Sequence, residues 1–173
     1  GAIFKQDGTL AVTVVQEGLT LNGVGEGGDL YNAGLISLAN STNVWTGPIA
    51  VASASAIRVE SPNDRLILSG VISGSGLLWK RGGGTLEFAG AGNNTHDGDV
   101  VVEQGELALN KSGALAVAGG LIIGDGVGGA NSDVARLLQA NQIGEAVPVV
   151  VQGSGLFHLN NFSDAIGSLA GSG

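Results

Sequence analysis

The residues best suited to chemistry lie in one short polar segment, Asn93-Asn94-Thr95-His96-Asp97-Gly98-Asp99. The imidazole of His96 suits a transition metal, whereas the carboxylates of Asp97 and Asp99 suit calcium. On a strand, the two aspartates would share one face. The three residues are therefore weak candidates for a metal site, but a solvated surface turn is the favoured interpretation. No metal or other cofactor is expected, with calcium as the alternative.

A second polar segment, residues 124–133, combines four glycines with two aspartates. Calcium-binding glycine–aspartate nonapeptides have a comparable composition, but they require a fixed order of residues in tandem copies. Here the order differs and the motif occurs once. A surface loop is the favoured interpretation.

Catalytic chemistry finds little support in the residue pattern. Fifteen acidic residues are present, but no spacing singles out a pair for glycoside hydrolysis. Lys80 and Arg81 are the only adjacent basic residues and could supply the base of a polysaccharide lyase. No nucleophile elbow accompanies His96 or His158. The chain is therefore expected not to be an enzyme, and no catalytic residue is assigned.

Two tryptophans are possible ligand contacts. Trp45 and Trp79 could stack on sugar rings in an exposed groove, or each could cover an end or a flank of the fold. Tryptophans that stack on sugars would indicate an adhesin, which binds a glycan or a host protein. Tryptophans that cover an end or a flank would indicate a passive structural element.

Composition excludes several other functions. The net charge is −8 with only seven Lys and Arg, which disfavours nucleic acid and anionic membranes as partners. Cysteine is absent, so disulfides and zinc–thiolate sites are excluded. No apolar run approaches the roughly 20 residues of a membrane helix, and no signal peptide is visible. Insertion of this segment into a membrane is not expected.

Short runs of alternating apolar and polar residues, broken by Gly, Asn, Ser or Asp, predict many short β-strands. Only residues 131–140 have some helical character. The aliphatic residues and the 4% aromatic content suit the narrow interior of a parallel β-solenoid better than an antiparallel sandwich. The predicted fold is an all-β, right-handed parallel β-helix with open ends and coils of about 20 residues.

A recurring phrase, Gly-x-apolar-x-apolar, supports this period. It begins at Gly8, Gly34, Gly84, Gly105, Gly113 and Gly155, with a degraded copy at Asp64. The copies at 64, 84 and 105 are about 20 residues apart, and 113 to 155 is about two such steps. One recurrence is expected to equal one coil.

Residues 74–109 resemble the autotransporter-associated β-strand repeat. Lys80, Gly82, Gly84-Thr85-Leu86 and Gly90 fall on its pattern, which continues through Asn94-Thr95 to Gly105, Leu107 and Leu109. Residues 43–49 and 156–173 resemble segments that accompany the repeat. One departure is that His96-Asp97 stands where the family usually has Tyr-Thr.

The resemblance implies a right-handed β-helix in an exported protein, extracellular or on the cell surface of a Gram-negative-type bacterium, with no catalytic residues to carry over. Residues 1–173 are interpreted as a single solenoid segment with a structural role, part of a longer or tandemly repeated chain. The expected partners are further copies stacked end to end, or covalent continuation of the solenoid. A glycan or cell-surface ligand is the alternative partner.

Overall fold

The computed structural model describes residues 4–6, 11–25, 33–38 and 41–172. Across this part of the chain every paired strand is parallel to its neighbour, and the strands form three sheets. No residue in these ranges is helical, so no helix there could cross a membrane. The all-β parallel solenoid that the sequence predicts is confirmed, and the antiparallel sandwich is excluded.

The first three coils each contribute one strand to each of the three sheets, and the later coils contribute strands only to sheets 1 and 2. Sheet 1 contains β1 (Phe4–Gln6), β4 (Leu35–Ser37), β7 (Ser55–Val59), β10 (Leu78–Arg81), β12 (Val100–Val102), β14 (Leu121–Ile123), β16 (Pro148–Val151) and β18 (Ser168–Gly171). Sheet 2 contains β2 (Thr13–Val14), β5 (Thr42–Trp45), β8 (Arg65–Leu68), β11 (Thr85–Phe88), β13 (Gly105–Leu109), β15 (Asp133–Leu137) and β17 (Gly155–His158). Sheet 3 contains β3 (Leu19–Leu21), β6 (Ile49–Val51) and β9 (Ile72–Gly74).

The repeat phrase sets the register of sheet 2. Thr85 pairs with Arg65 and Glu106, which places Asp64, Gly84 and Gly105 in one column at the corner before this sheet. Gly105 pairs with Asp133, and Asp133 pairs with Gly155. One recurrence therefore equals one coil. The typical spacing is about 22 residues rather than about 20.

Two other copies of the phrase do not share this column. Gly34 precedes a strand of sheet 1. The residues directly after Gly113 form no strand, and Val117 makes only an isolated bridge with Ile143. The expectation that 113 to 155 represents two coil steps is therefore wrong. The Gly8 copy lies outside the described residues.

A long insertion interrupts the regular spacing between β14 and β15. Val100 pairs with Leu121, 21 positions later, but Leu121 pairs with Val149, 28 positions later. The additional residues form loop 124–132 between β14 and β15. Residues 133–137, in the stretch with some helical character, form strand β15, because alternate side chains must enter the core there.

The core is a column of aliphatic side chains inside the coils. Leu66, Leu86, Leu107 and Ala135 occupy equivalent inward positions on successive strands of sheet 2, and all are fully buried. A parallel strand places identical positions about 4.8 Å apart, so each side chain packs on its counterparts in the coils above and below.

On the third face after β9, side-chain hydrogen bonds add to the backbone bonds between coils, such as that from the Ala116 amide to the Gln142 carbonyl. Asn94, only 3% exposed, accepts a hydrogen bond from the Ile72 amide and donates one to the Ala116 carbonyl, both at 2.9 Å. Further along the stack, the Asp164 carboxylate accepts from the amides of Gln142 and Ile143. The buried backbone groups are thus satisfied across the coils without regular strands.

We expect that position 84, in the corner column of Asp64, Gly84 and Gly105, has no room for a side chain. A Cβ there would lie 2.5 Å from the Ser61 carbonyl oxygen and 2.7 Å from that of Asp64. Gly84→Ala should therefore lower the free energy of unfolding by about 1–3 kcal/mol, as overpacking does. Urea denaturation of the wild type and of Gly84→Ala measures the difference in the free energy of unfolding.

Gly153→Ala is the matched control, because a Cβ at Gly153 meets nothing within 4 Å. Equal stability of the two variants would contradict the corner geometry.

Candidate functional site

The predicted metal candidates lie on the third face and do not converge. His96 is only 4% exposed, and its Nε2 donates to the Gly76 carbonyl oxygen at 2.6 Å. The expectation of a surface histidine is wrong, because this ring fills a corner of the coil. Asp97 and Asp99 are exposed. The described residues contain no group of three or more His, Asp or Glu that could hold a metal ion.

The two tryptophans have different environments. Trp45 is 3% exposed and belongs to the aliphatic core beside Leu68, so its interpretation as a ligand contact is wrong. Trp79 points outward from sheet 1 and is half-buried, with the Arg81 guanidinium 5.1 Å from the centre of its ring. His158 also points outward, as alternation predicts, and its Nδ1 accepts a hydrogen bond from Arg136 at 2.6 Å.

Lys80 has an environment that the sequence does not reveal. Its neighbours in register are Ile57 and Val102, so the side chain enters the core, where it is fully buried. The ammonium donates to three backbone carbonyls at the corner between sheets 1 and 2. The distances are 3.1 Å to Arg81, 2.5 Å to Gly82 and 2.6 Å to Gln104. Lys80 therefore binds together two consecutive coil corners.

This position changes the protonation equilibrium of the amine. Burial, followed by the charge of Arg58, lowers the pKa of Lys80 from 10.5 to about 7, whereas the charge of Asp133 acts in the opposite direction. Lys111 is the other fully buried lysine among the described residues, and burial lowers its pKa as well. Lys111 donates to a single carbonyl, that of Gly70, at 3.2 Å.

A cleft of about 250 Å³ lies beside the same corner, under loop 124–132. Its lining consists of the loop, the corner of the coil below and the start of β15. The lining residues are Gly83, Glu103, Gln104, Gly105, Asp125, Val127, Gly128, Ser132 and Asp133. Successive coils approach closely at this corner, since a Cβ on Gly105 would lie 2.6 Å from the Gly82 carbonyl oxygen.

Asp133 is the notable group in this cleft. The residue is 1% exposed, and no described residue forms a hydrogen bond with its Oδ2. Burial raises the pKa of Asp133. Hydrogen bonds from the hydroxyl groups of Ser154 and Ser132 to the carboxylate act in the opposite direction and partly offset this increase. Alternation along β15 turns this carboxylate toward the interior of the corner. Sequence reasoning missed it because the segment was interpreted as a surface loop.

The geometry defines the chain as a parallel β-solenoid whose buried polar groups concentrate at the corners of the coils. Comparisons with models of protein families, with characterised proteins and with solved structures find no match. The architecture therefore follows from the coordinates alone.

We expect the stability of the protein to depend on the titration of Lys80. Its pKa is lowered in the folded state, so between pH 7 and pH 10 the unfolded chain binds more protons at this group than the folded chain. The contribution of Lys80 to the free energy of unfolding should consequently rise with pH across this window and be smallest below pH 7.

The measurement is denaturant unfolding of the wild type and of Lys80→Met at several pH values. The difference in free energy between the two should shift in favour of the wild type as the pH rises. Parallel pH profiles would show that the Lys80 amine titrates at its ordinary pKa.

Proposed function

We propose that this chain is a structural, non-catalytic segment of an extended rod in an exported bacterial surface protein. The observation that carries the proposal is the register of the coils. Strands return in parallel over one another through eight layers of sheet 1 and seven of sheet 2, and one aliphatic core runs through them. Such stacks gain stability by contacts between neighbouring coils, so they extend by adding coils.

The exported, surface-displayed setting rests on the resemblance of residues 74–109 to the autotransporter-associated repeat. It is supported by the absence of cysteine and by the low content of charged residues, 13%. A rod made of short strands and glycine corners needs no disulfide, because each added coil is stabilised by its contacts with the previous one.

The edge of the stack at β18 is suited to further growth. All four residues of this strand are exposed, and Leu169 is 65% exposed. A groove of about 320 Å³ lies there, lined by Val151, Gly155 and residues 169–171. A strand edge with accessible backbone groups pairs readily with another strand. We infer that the solenoid continues at this edge, either within a longer chain or by stacking of a second copy.

Negative-stain microscopy of the purified chain tests stacking. We expect rods longer than a single chain, whose number falls strongly in Leu169→Asp because a charge on the edge opposes strand pairing. Val127→Asp is the matched control, since Val127 is 69% exposed but lies in loop 124–132. Monomers at every concentration in analytical ultracentrifugation, or equal effects of both variants, would contradict stacking.

Adhesion is a second candidate function, and the outer face of sheet 1 favours it. Trp79, Val101, Ile122 and Val150 occupy one outward column on successive strands, and all four are half-buried. An aromatic ring beside aliphatic side chains on a flat sheet suits stacking against the apolar face of a sugar.

Glycan-array binding tests this second function. We expect any binding to be lost in Trp79→Ala. The ring also packs on the buried cluster of Ala33, Ile36 and Ala56, so binding is measured at a temperature at which circular dichroism shows the variant to be folded. Phe162→Ala is the control, since Phe162 is exposed away from sheet 1. Binding that survives Trp79→Ala would exclude this column as the contact surface.

A further inference from the structure

We propose that a second copy of this chain stacks on the end formed by β17 and β18 in one fixed register. In this register β2 of the second copy pairs in parallel with β17, and β1 of that copy lies end to end with β18 in sheet 1. The inference rests on the proposed rod and specifies which strands meet and how they align. Two observations carry it. The strands β1 and β18 cover complementary halves of sheet 1, and the columns of the core continue across the contact.

The two terminal strands of sheet 1 cover different halves of its width. Strand β7 spans the whole width, from Ser55 to Val59. The pairs from β7 through β16 place β18 over the first half, with Leu169 in the column of Ser55 and Gly171 in that of Ile57. The pairs through β4 place β1 over the second half, from the column of Ile57 to that of Val59. Only the Ile57 column is common to both strands.

This complementarity allows β18 and β1 of the second copy to share one layer of sheet 1. Together they make a strand as wide as β7, and only the residue at the junction, Gly171, has to move aside. If β1 instead lay directly above β18, the two strands would pair in a single column. Because β18 already lies one layer above β17, that arrangement would also leave a gap one strand wide in sheet 2. The shared layer leaves no such gap.

The shared layer brings β2 onto the open edge of β17. Thr13 belongs to the outward column of sheet 2 that ends in His158, so these two residues pair across the contact. Val14 packs against the core in the next inward column, and Leu159, directly after His158, stands at the other end of that column. The second copy therefore places Val14 over Leu159.

Exposed side chains mark both ends where the core columns lack a further coil. Leu159 is 46% exposed and Leu169 is 65% exposed, whereas Leu137 and Val149, one coil earlier in the same columns, are fully buried. At the opposite end Val12 is 39% exposed. Stacking removes these apolar side chains from water, which favours association.

Disulfide cross-linking tests the register, because the chain contains no cysteine. In the chain with Thr13→Cys and His158→Cys, the two positions lie at opposite edges of a seven-stranded sheet, too far apart for a bond within one molecule. Directly paired Cα atoms are about 4.8 Å apart, and a disulfide spans about 4.4–6.8 Å. We expect mild oxidation to give a ladder of covalent oligomers on non-reducing gels, which is lost on reduction.

The matched control combines Val15→Cys with His158→Cys. Val15 is 62% exposed at the same edge, but it lies two residues further along, about 8 Å from the position that pairs with Thr13, so the ladder should be lost. If replacing His158 unfolds the chain, Ala11→Cys with Leu156→Cys takes the place of the first pair. Both of these positions lie two residues earlier along the same two edges.

The outcomes separate this register from stacking itself. Oligomers in analytical ultracentrifugation, together with equal cross-linking in the test and control variants or with none in either, would overturn the register but leave the proposed rod. A wild-type chain that is monomeric at every concentration would overturn both.

Discussion

In-register pairing of parallel strands between successive coils is the interaction on which every other feature of this structure depends. A strand of three to five residues, such as β12 or β13, has no hydrogen-bonding partner within its own coil. Its amides and carbonyls are satisfied only by the coils above and below. Because the register is fixed, identical inward positions coincide, as for Leu86 between Leu66 and Leu107. Hydrogen bonding and the aliphatic core are therefore consequences of one geometric condition.

The corners between sheets cannot satisfy this condition by strand pairing, and polar side chains take over there. The Lys80 ammonium binds three corner carbonyls, while Asn94 joins an amide below to a carbonyl above. Each of these side chains is almost completely buried. Other buried polar side chains, such as Asn43 and Glu87, lie within the strands themselves.

The sequence predicts the repeating part of this structure well because repetition leaves a periodic trace. The recurrence of Gly84 and Gly105 predicts both the coil and the register that the structure confirms. Burial at corners leaves no such trace. His96 was assigned to a surface turn, and Trp45 to a ligand contact or to the cover of an end or flank of the fold, yet both are buried. Gly113 shows the opposite error, since its phrase matches the repeat but residues 113–117 form no strand.

Insertions explain how a repetitive fold can acquire a particular site. The register constrains only the strands, so a connection can lengthen wherever the chain still returns to its place in the sheet. The step from Leu121 to Val149 is 28 residues, yet β16 pairs normally with β14. Loop 124–132 uses this freedom, and together with Asp133 it lines a cleft at the corner before β15. A corner that departs from the repeat is consequently the part of a solenoid where chemistry can differ from one coil to the next.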